Sequence, residues 1–192
     1  MTALSDAEIM RQVQSGEVAL FDLLVDRYRP ALLRVAESKL GSHTWAEDVV
    51  QETFLAAFVS RHTYRPQFAF RTWLWTILLN LCRKQWKRSA SRPQSESLDH
   101  LEESTESAWP TSNEVDGLAR LLALERRTEV ETLLQKLSEP QADALRLRFF
   151  GELPYEEIAA TMGSSLSAAK QRVRFGLEKL AAMLHEQSGG ST

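Results

Sequence analysis

Apolar residues recur at helical spacing along almost the whole chain, which predicts an all-α protein. The first helix is expected to begin at Ser5, because Ser5 and Glu8 are spaced as a capping box. Apolar positions within 20–28 continue the helical period, and Pro30 is expected to kink or restart that helix because it cannot donate a backbone hydrogen bond. Gly41 is the predicted C-terminal stop.

A second helix is predicted to be acidic and amphipathic. Thr44 and Glu47 form another capping-box pattern before it. Apolar residues of helical period then define one side, namely Val49, Val50, Phe54, Ala57 and Phe58. The other side carries most of the charge and polarity, with Glu47, Asp48, Gln51 and Glu52, together with Leu55.

The next helix is predicted to start near Phe70, after a loop over 62–69 that contains Pro66. It is apolar on most of its circumference, and its polar stripe is Thr72, Thr76, Asn80, Lys84 and Lys87. One apolar face suits a core, and a further face carries Trp75, Leu79, Cys82 and Trp86. Since a small helical domain cannot easily bury two faces of one helix, part of this surface is expected to meet a partner or DNA.

A change of composition divides the chain into two helical domains. The segment after Ser89 is rich in Ser, Asp and Glu, which predicts a flexible acidic linker over 91–113. The expected domains are 1–90 and 114–187, with a disordered tail at 188–192. A role for the linker's acidity in solubility is favoured over occupation of a basic groove.

The second domain has the layout of a helix-turn-helix. Ser138 and Pro140 mark a helix start, and Gly163 stops a short helix that begins near Leu153. A longer helix follows from Leu166 to about Leu184. Its predicted core stripe is Leu166, Ala169, Val173, Leu177 and Leu180.

The opposite face of that longer helix has side chains suited to a major groove. Ser167, Lys170, Gln171 and Arg174 can reach base edges and phosphates from the start of a helix. The alternative is the surface of an ordinary bundle helix. DNA is favoured, because the short helix, the glycine turn and the basic helix occur together.

The tract 61–88 combines seven Lys or Arg with six aromatic residues and has no Asp or Glu. A groove for single-stranded DNA needs cations for phosphates and flat apolar surfaces for unstacked bases. A buried helix with solvated ends would show the same composition, so the tract alone leaves both interpretations open.

Charge argues against a free, nonspecific DNA-binding protein. The 192 residues carry a net charge of −3 and a pI near 5.9. The formal charge is +3 over 1–90, −5 over 91–137 and −1 over 138–192. A protein that met duplex DNA alone would show a stronger positive field, so either it binds weakly alone or a partner positions it.

Other classes fit poorly. The longest apolar run is far short of a membrane span, and no secretory signal is visible, so the cytoplasm is the expected compartment. The single cysteine, Cys82, excludes an intramolecular disulfide framework. The four His residues lack partners at metal-ligand spacing and no phosphate-binding glycine loop is present, so catalysis, metals and cofactors are not expected.

Two tracts together resemble the sigma factors of bacterial RNA polymerase, specifically the extracytoplasmic-function (group IV) type. The tract 46–54, AEDVVQETF, resembles that family's polymerase-binding helix. The tract 70–80, FRTWLWTILLN, resembles its promoter-melting helix, and 153–159 with 170–172 resembles its helix-turn-helix. The order of the tracts and the acidic linker between them also agree.

The resemblance implies a role for each surface. The residues implied to bind the clamp helices of the polymerase's largest subunit are Asp48, Gln51, Glu52 and Phe54. Those implied to hold non-template bases of the melted minus-ten element are Arg61, Tyr64, Arg65, Phe68, Phe70, Arg71, Trp73, Asn80 and Lys84. Those implied to contact the minus-thirty-five duplex are Ser167, Lys170, Gln171, Arg172 and Arg174.

The implied partners are core RNA polymerase, promoter DNA and an inhibitory anti-sigma factor, in a stress or envelope response. Lys84, Ala168 and Phe175 depart from the family's pattern, so its average promoter sequence does not transfer. The alternative is a stand-alone helix-turn-helix regulator whose N-terminal helices dimerise or sense a signal.

Overall fold

The computed structural model describes residues 4–66, 69–90 and 128–189, and every regular element there is helical. The helices are α1 (Asp6–Ser15), α2 (Phe21–Leu40), α3 (His43–Val59), α4 (Phe70–Ala90), α5 (128–135), α6 (Glu139–Phe149), α7 (Tyr155–Thr161) and α8 (Leu166–Gly189). Short 3-10 turns occupy Val18–Leu20 and Arg61–Thr63. The predicted all-α class is confirmed. The predicted linker, 91–113, lies outside the described residues, and α8 extends two residues into the predicted tail.

The helix starts follow the capping chemistry in part. Ser5 and Glu8 form the predicted capping box at α1. The second predicted box, at Thr44, is wrong, because α3 begins at His43 with Ser42 as its N-cap. Gly41 ends α2 in a left-handed conformation at φ 68°, which leaves Ser42 extended with its hydroxyl accepting a bond from the Trp45 amide at 3.3 Å.

Helix α2 passes through Pro30 without restarting, which excludes one of the two predicted effects of this proline. Pro30 itself is exposed, so its missing amide lies on the solvent side of the helix. Leu24 and Leu32 are fully buried on either side of it. Their burial favours one continuous helix enough to offset the lost backbone hydrogen bond.

Helices α1 to α4 form the N-terminal domain, with α3 packed against both α2 and α4. Asp6, in the first turn of α1, accepts hydrogen bonds from Arg27 and Tyr28 of α2. The largest fully buried side chains of this domain are Ile9, Met10, Leu24, Leu32, Phe70, Leu74, Trp75, Leu78 and Leu79. The apolar face of α3 meets them from one side, and its polar face stays in solvent.

In the C-terminal domain α8 packs against α6 and α7. Ala169 and Val173 are buried as predicted, but Leu166 and Leu177 are exposed. The stripe instead continues through Gly176, which lies so close to Leu145 that an added Cβ would come within 2.9 Å of its Cδ1. The residue of α8 that faces α6 after Val173 is therefore Gly176, and Leu177, one position later, lies outside the core.

The two domains pack on one another, and α4 lies between them. Helices α2 and α4 contact α6 and α7. The further apolar face of α4 is therefore largely covered, with Trp75, Leu79 and Cys82 buried and only Trp86 exposed, at 52%. Within the described ranges, no helix combines the length and apolar character that crossing a membrane requires.

A matched pair of leucines on α2 tests the N-terminal core. Leu32→Ala should lower the free energy of unfolding by about 2–5 kcal/mol, because it opens a cavity around a fully buried side chain. Leu23→Ala, at a position 45% exposed on the same helix, should cost below about 1 kcal/mol. Urea unfolding followed by circular dichroism measures both. Equal losses would contradict the assigned faces of α2.

Candidate partner and nucleic-acid interfaces

The polar face of α3 is exposed as the sequence predicts. Asp48, Gln51 and Glu52 lie on it side by side in solvent. Leu55 and Val59 continue the same face toward the end of the helix and are 61% and 68% exposed. The sequence places Leu55 on this side of the helix, but neither Leu55 nor Val59 was predicted to bind a partner, although both have helical spacing from Asp48 and Glu52. Exposed carboxylates beside exposed apolar side chains fit a protein partner whose binding surface has an apolar centre and a basic rim.

Phe54 lies in the core of the N-terminal domain, beneath this face. It is 8% exposed, and its ring meets the Phe21 ring edge to face with centroids 6.4 Å apart. A direct contact with a partner was implied for Phe54. The buried ring instead fixes the orientation of α3 and so supports the exposed residues of the polar face.

Four aromatic rings from α2, the loop before α4 and the start of α4 form a cluster. Tyr64 packs on Phe70 and Trp73 with centroids 5.7 and 5.5 Å away, and Phe70 packs on Tyr28 at 5.7 Å. Burial raises the pKa of the Tyr64 phenol. Tyr64 and Phe70 are therefore core residues here and not open platforms for bases, whereas Trp73 is half-buried. Phe68 lies outside the described residues.

Hydrogen bonds from α1 hold the same loop. The Gln14 amide donates to the carbonyls of Arg61 and Tyr64 at 2.7 and 3.0 Å. The Arg61 guanidinium lies 4.5 Å from the centre of the Phe58 ring and donates to the Phe58 carbonyl. These contacts hold the Arg61 side chain against α3. Arg65, by contrast, is exposed.

Arg71 points to the C-terminal domain. Its guanidinium donates to the carbonyls of Gly151 and Glu152 at 2.8 and 3.1 Å, and its Nε lies 3.3 Å from a carboxylate oxygen of Glu157. The predicted single-strand residues are thus brought together only in part. Arg65, Asn80 and Lys84 are exposed, whereas the Arg71 side chain is bound to the C-terminal domain.

The last turns of α4 carry an open cationic groove. Its lining consists of Asn80, Arg83, Lys84, Lys87 and Arg88. The Arg83 guanidinium donates to the Asn80 side-chain oxygen at 3.1 Å, which orients the amide. Positive charge around an oriented amide can hold a phosphate backbone and one base edge. Arg83, Lys87 and Arg88 were part of the basic tract but were not assigned as site residues.

The start of α8 presents a polar, basic surface. Ser165 caps the helix by accepting from the Ala168 amide at 3.1 Å, and Gly163 makes the turn before it at φ 58°. Exposed side chains follow on the first turns, namely Ser167, Lys170, Gln171 and Arg174. Arg172 is half-buried, with a guanidinium nitrogen 3.9 Å from the Met162 sulfur.

Comparison with protein families identifies both domains. Residues 24–92 match Sigma-70 region 2, and residues 127–180 match Sigma-70, region 4. The two matches cover α2 to α4 and the helix-turn-helix, which are the parts that carry the surfaces described above.

Relatives align over most of the chain. The ECF RNA polymerase sigma-E factor of Escherichia coli (strain K12) is 30% identical over 171 residues, which is 88% of this chain and 89% of the relative. The RNA polymerase sigma-H factor of Pseudomonas aeruginosa is 28% identical over 174 residues, 90% of either chain.

Solved structures of similar fold are also known. CnrH, in its complex with the cytosolic domain of CnrY, superposes with a TM-score of 0.71 at 27% identity, over 94% of this chain and 97% of CnrH. The sigma factor RpoE of Bartonella quintana, in complex with the anti-sigma factor NepR, gives a TM-score of 0.62 at 25% identity, over 86% and 96%.

Substitutions at Tyr64 and Arg65 distinguish a buried structural residue from an exposed one in the loop before α4. Tyr64→Ala should lower the free energy of unfolding by about 3 kcal/mol, because a buried ring in contact with two others is lost. Tyr64→Phe should retain most of the stability because it keeps the ring. Arg65→Ala, at an exposed position, should change stability by less than about 0.5 kcal/mol. Thermal unfolding compares the three, and a stable Tyr64→Ala would contradict the structural role.

Proposed function

Since this chain belongs to the extracytoplasmic-function sigma factors of bacterial RNA polymerase, we propose that its three surfaces divide the work of promoter recognition. The polar face of α3 docks on core polymerase. The cationic groove of α4 and the loop before it hold the melted minus-ten element. The start of α8 binds the minus-thirty-five element as duplex. The observation that carries this assignment is that α3 exposes acidic side chains, whereas α4 and the start of α8 expose basic ones.

Charge supports the α3 assignment. Asp48 and Glu52 are exposed on the same face as Leu55, and a basic surface on the clamp helices of the polymerase would complement their charge. Lys84 lies 3.7 Å from Glu52, but both side chains are about half exposed, so their pair is weak in water. A basic partner can therefore replace Lys84 at little cost.

The groove of α4 suits single-stranded DNA better than duplex. Arg83 orients the Asn80 amide, while Lys84, Lys87 and Arg88 supply the positive charge that a phosphate backbone needs. The Trp86 ring is 52% exposed on the same turns and offers a flat apolar surface on which a base can stack.

The start of α8 suits a major groove. Lys170 and Arg174 can contact phosphates or guanine, while Gln171 can pair with adenine. The Arg174 guanidinium lies 4.7 Å from the centre of the Phe175 ring and 3.5 Å from the Glu178 carboxylate, both within its own helix. Both contacts are exposed and weak, so a DNA phosphate or base can replace them. The net charge of −3 is consistent with core polymerase supplying the nonspecific affinity.

An inhibitory protein partner is the expected regulator. The Bartonella relative was solved with an anti-sigma factor. On this chain, Leu55 and Val59 are exposed apolar groups on the face proposed to bind polymerase. A partner that covers them would compete directly with polymerase, which a competition pull-down measures.

Charge reversal on α3 tests polymerase docking. Asp48→Arg with Glu52→Arg should weaken capture of core RNA polymerase at least tenfold, because cations would face a basic surface. The matched control is Asp22→Arg with Asp26→Arg, which makes the same charge change at exposed positions of α2 and should leave capture unchanged.

Equal capture by the α3 variant and the wild type would contradict the docking face. No capture of polymerase by any form, with specific retention of duplex DNA by the free protein, would favour the stand-alone regulator.

Asn80→Ala tests strand opening. Holoenzyme with this variant should open promoters about tenfold less, a loss of about 1.4 kcal/mol that corresponds to one or two hydrogen bonds. Permanganate footprinting of unpaired thymines measures the opening. On a template with a preformed mismatch bubble, the loss of transcription should shrink to about threefold or less. An equal loss on both templates would show that the defect lies elsewhere.

A further inference from the structure

A cavity of about 340 Å³ lies between α2, the start of α4 and the loop that joins α6 to α7. Its volume is at the lower end of the range of small-molecule sites, roughly 300–1,000 Å³. One face of α2 forms part of the wall, because Arg27, Pro30 and Arg34 recur there at helical spacing. Arg71 and Trp75 of α4 form another part. Apart from Arg71, none of the residues assigned to polymerase or promoter DNA lines this cavity.

Two of the arginines are held in place and still have donors to spare. Arg34 donates from Nε and Nη2 to the Phe150 carbonyl, at 3.3 and 3.2 Å. Arg71 donates from Nη2 to the carbonyls of Gly151 and Glu152, at 2.8 and 3.1 Å. Among the residues that the structure describes, the Nη1 atoms of these two side chains have no acceptor. Neutral carbonyls therefore orient both guanidinium groups and leave N–H bonds for a ligand.

The cavity carries a positive charge. Of the described residues that line it, only Glu152 is acidic, whereas three are arginines. The Glu152 carboxylate lies 3.7 Å from Arg34, beyond hydrogen-bond distance, and the two side chains are 78% and 50% exposed. Such an exposed pair contributes little and is readily displaced by an anion. The other two arginines pair with carboxylates outside the lining, so Arg34 is the least compensated of the three.

A hydrogen-bond donor in the wall also lacks an acceptor. Trp75 lines the cavity and is fully buried, and within the described ranges its indole Nε1 has no hydrogen-bond partner. Buried donors in native proteins are nearly always paired, and water or a ligand is a common partner. Tyr28 and Pro30 add apolar surface to the same cavity. Cationic donors beside apolar groups fit a molecule that has both an anionic group and an uncharged part.

The loop at this cavity contains a strained residue. Glu152 has a φ of 56°, and in the described part of the chain it is the only residue other than glycine with a positive φ. With this backbone, the carbonyls of residues 151 and 152 both accept from Arg71. A residue with a Cβ stores strain in this conformation, and such strain often occurs at ligand sites. Glycine adopts the same conformation without that cost.

We propose that the cavity binds a small phosphorylated molecule of about nucleotide size, with its phosphate on Arg34 and Arg71. Guanidinium groups bind phosphate oxygens through paired, charge-assisted hydrogen bonds. A phosphate ion alone would leave much of the 340 Å³ unfilled, which favours a phosphate ester. DNA phosphates share this chemistry, but Arg71 faces the C-terminal domain and is not part of the cationic groove of α4. The site is additional to the proposed function and does not depend on it.

Adenosine monophosphate is the probe, and adenosine is its matched control because it lacks the phosphate. Calorimetric titration into the full-length free protein should give one AMP site with a dissociation constant below about 1 mM. Adenosine should bind about tenfold more weakly or worse, because it cannot form charge-assisted hydrogen bonds. AMP at ten times its dissociation constant should raise the midpoint of thermal unfolding by about 3 °C. Absence of AMP binding, or equal binding of adenosine, would overturn the proposal.

Two substitutions should change the affinity for AMP in opposite directions. Arg34→Gln removes the least compensated cation and should weaken binding about tenfold. Glu152→Gly removes the competing carboxylate, retains the left-handed backbone and should tighten binding about threefold. A misfolded protein cannot gain affinity, so the second variant distinguishes loss of the site from loss of the fold. Equal affinity in the wild type and both variants would contradict a site at this cavity.

Arg29→Gln is the matched control on α2, because Arg29 is exposed, pairs with Glu47 at 2.9 Å and does not line the cavity. The affinity of this variant for AMP should stay within about twofold of wild type, since salt screens a distant surface charge. A short single-stranded oligonucleotide tests the other source of phosphate. We expect AMP to bind equally well when the oligonucleotide is present. Displacement of AMP by an oligonucleotide whose own binding requires Arg34 would assign the cavity to DNA instead.

Discussion

The structure depends on covering α4 from two sides. This helix is apolar around most of its circumference, and one small domain can bury only part of it. Helices α2 and α3 take one side, where Phe70, Leu74 and Leu78 enter the N-terminal core. The C-terminal domain takes the side of Trp75 and Cys82. Hydrophobic burial on α4 therefore brings the two domains together.

Charged residues determine the register in which the two domains associate and limit the strength of that association. An apolar interface around Trp75 alone would be nonspecific, whereas Asp143 with Lys39 and Arg146 fixes one register between the domains. Buried ion pairs contribute little net stability against a hydrophobic alternative, but the loss of one partner is strongly destabilising. Such an interface can be specific without being strong.

Periodicity identified the helices and their polar faces well. Capping at Ser5, the stops at Gly41 and Gly163 and the exposed row of Asp48, Gln51 and Glu52 are local features, and local sequence carries them. Sequence could not assign which neighbour covers each apolar face. Tyr64 and Phe70 share composition with a base-binding surface, yet their rings pack on each other. Phe54, implied to contact polymerase, packs on Phe21 instead. Leu177 fits the helical spacing of the predicted core stripe but is exposed, because Gly176 is the residue that faces α6 there.

Two kinds of ion pair explain how the same charges can serve the free and the bound protein. The Glu52–Lys84 pair is exposed and 3.7 Å long, so it is worth less than about 1 kcal/mol and exchanges readily. If a cation of polymerase paired with Glu52, Lys84 would be released and could contact a DNA phosphate. The lost ion pair would cost little free energy. The Lys39–Asp143 pair is 2.6 Å long, with Asp143 buried, and cannot be exchanged residue by residue. Removal of either partner would leave a charge buried without compensation. A binding partner can therefore replace the exposed pair on α3 one contact at a time, whereas the buried pair depends on the packing between the domains.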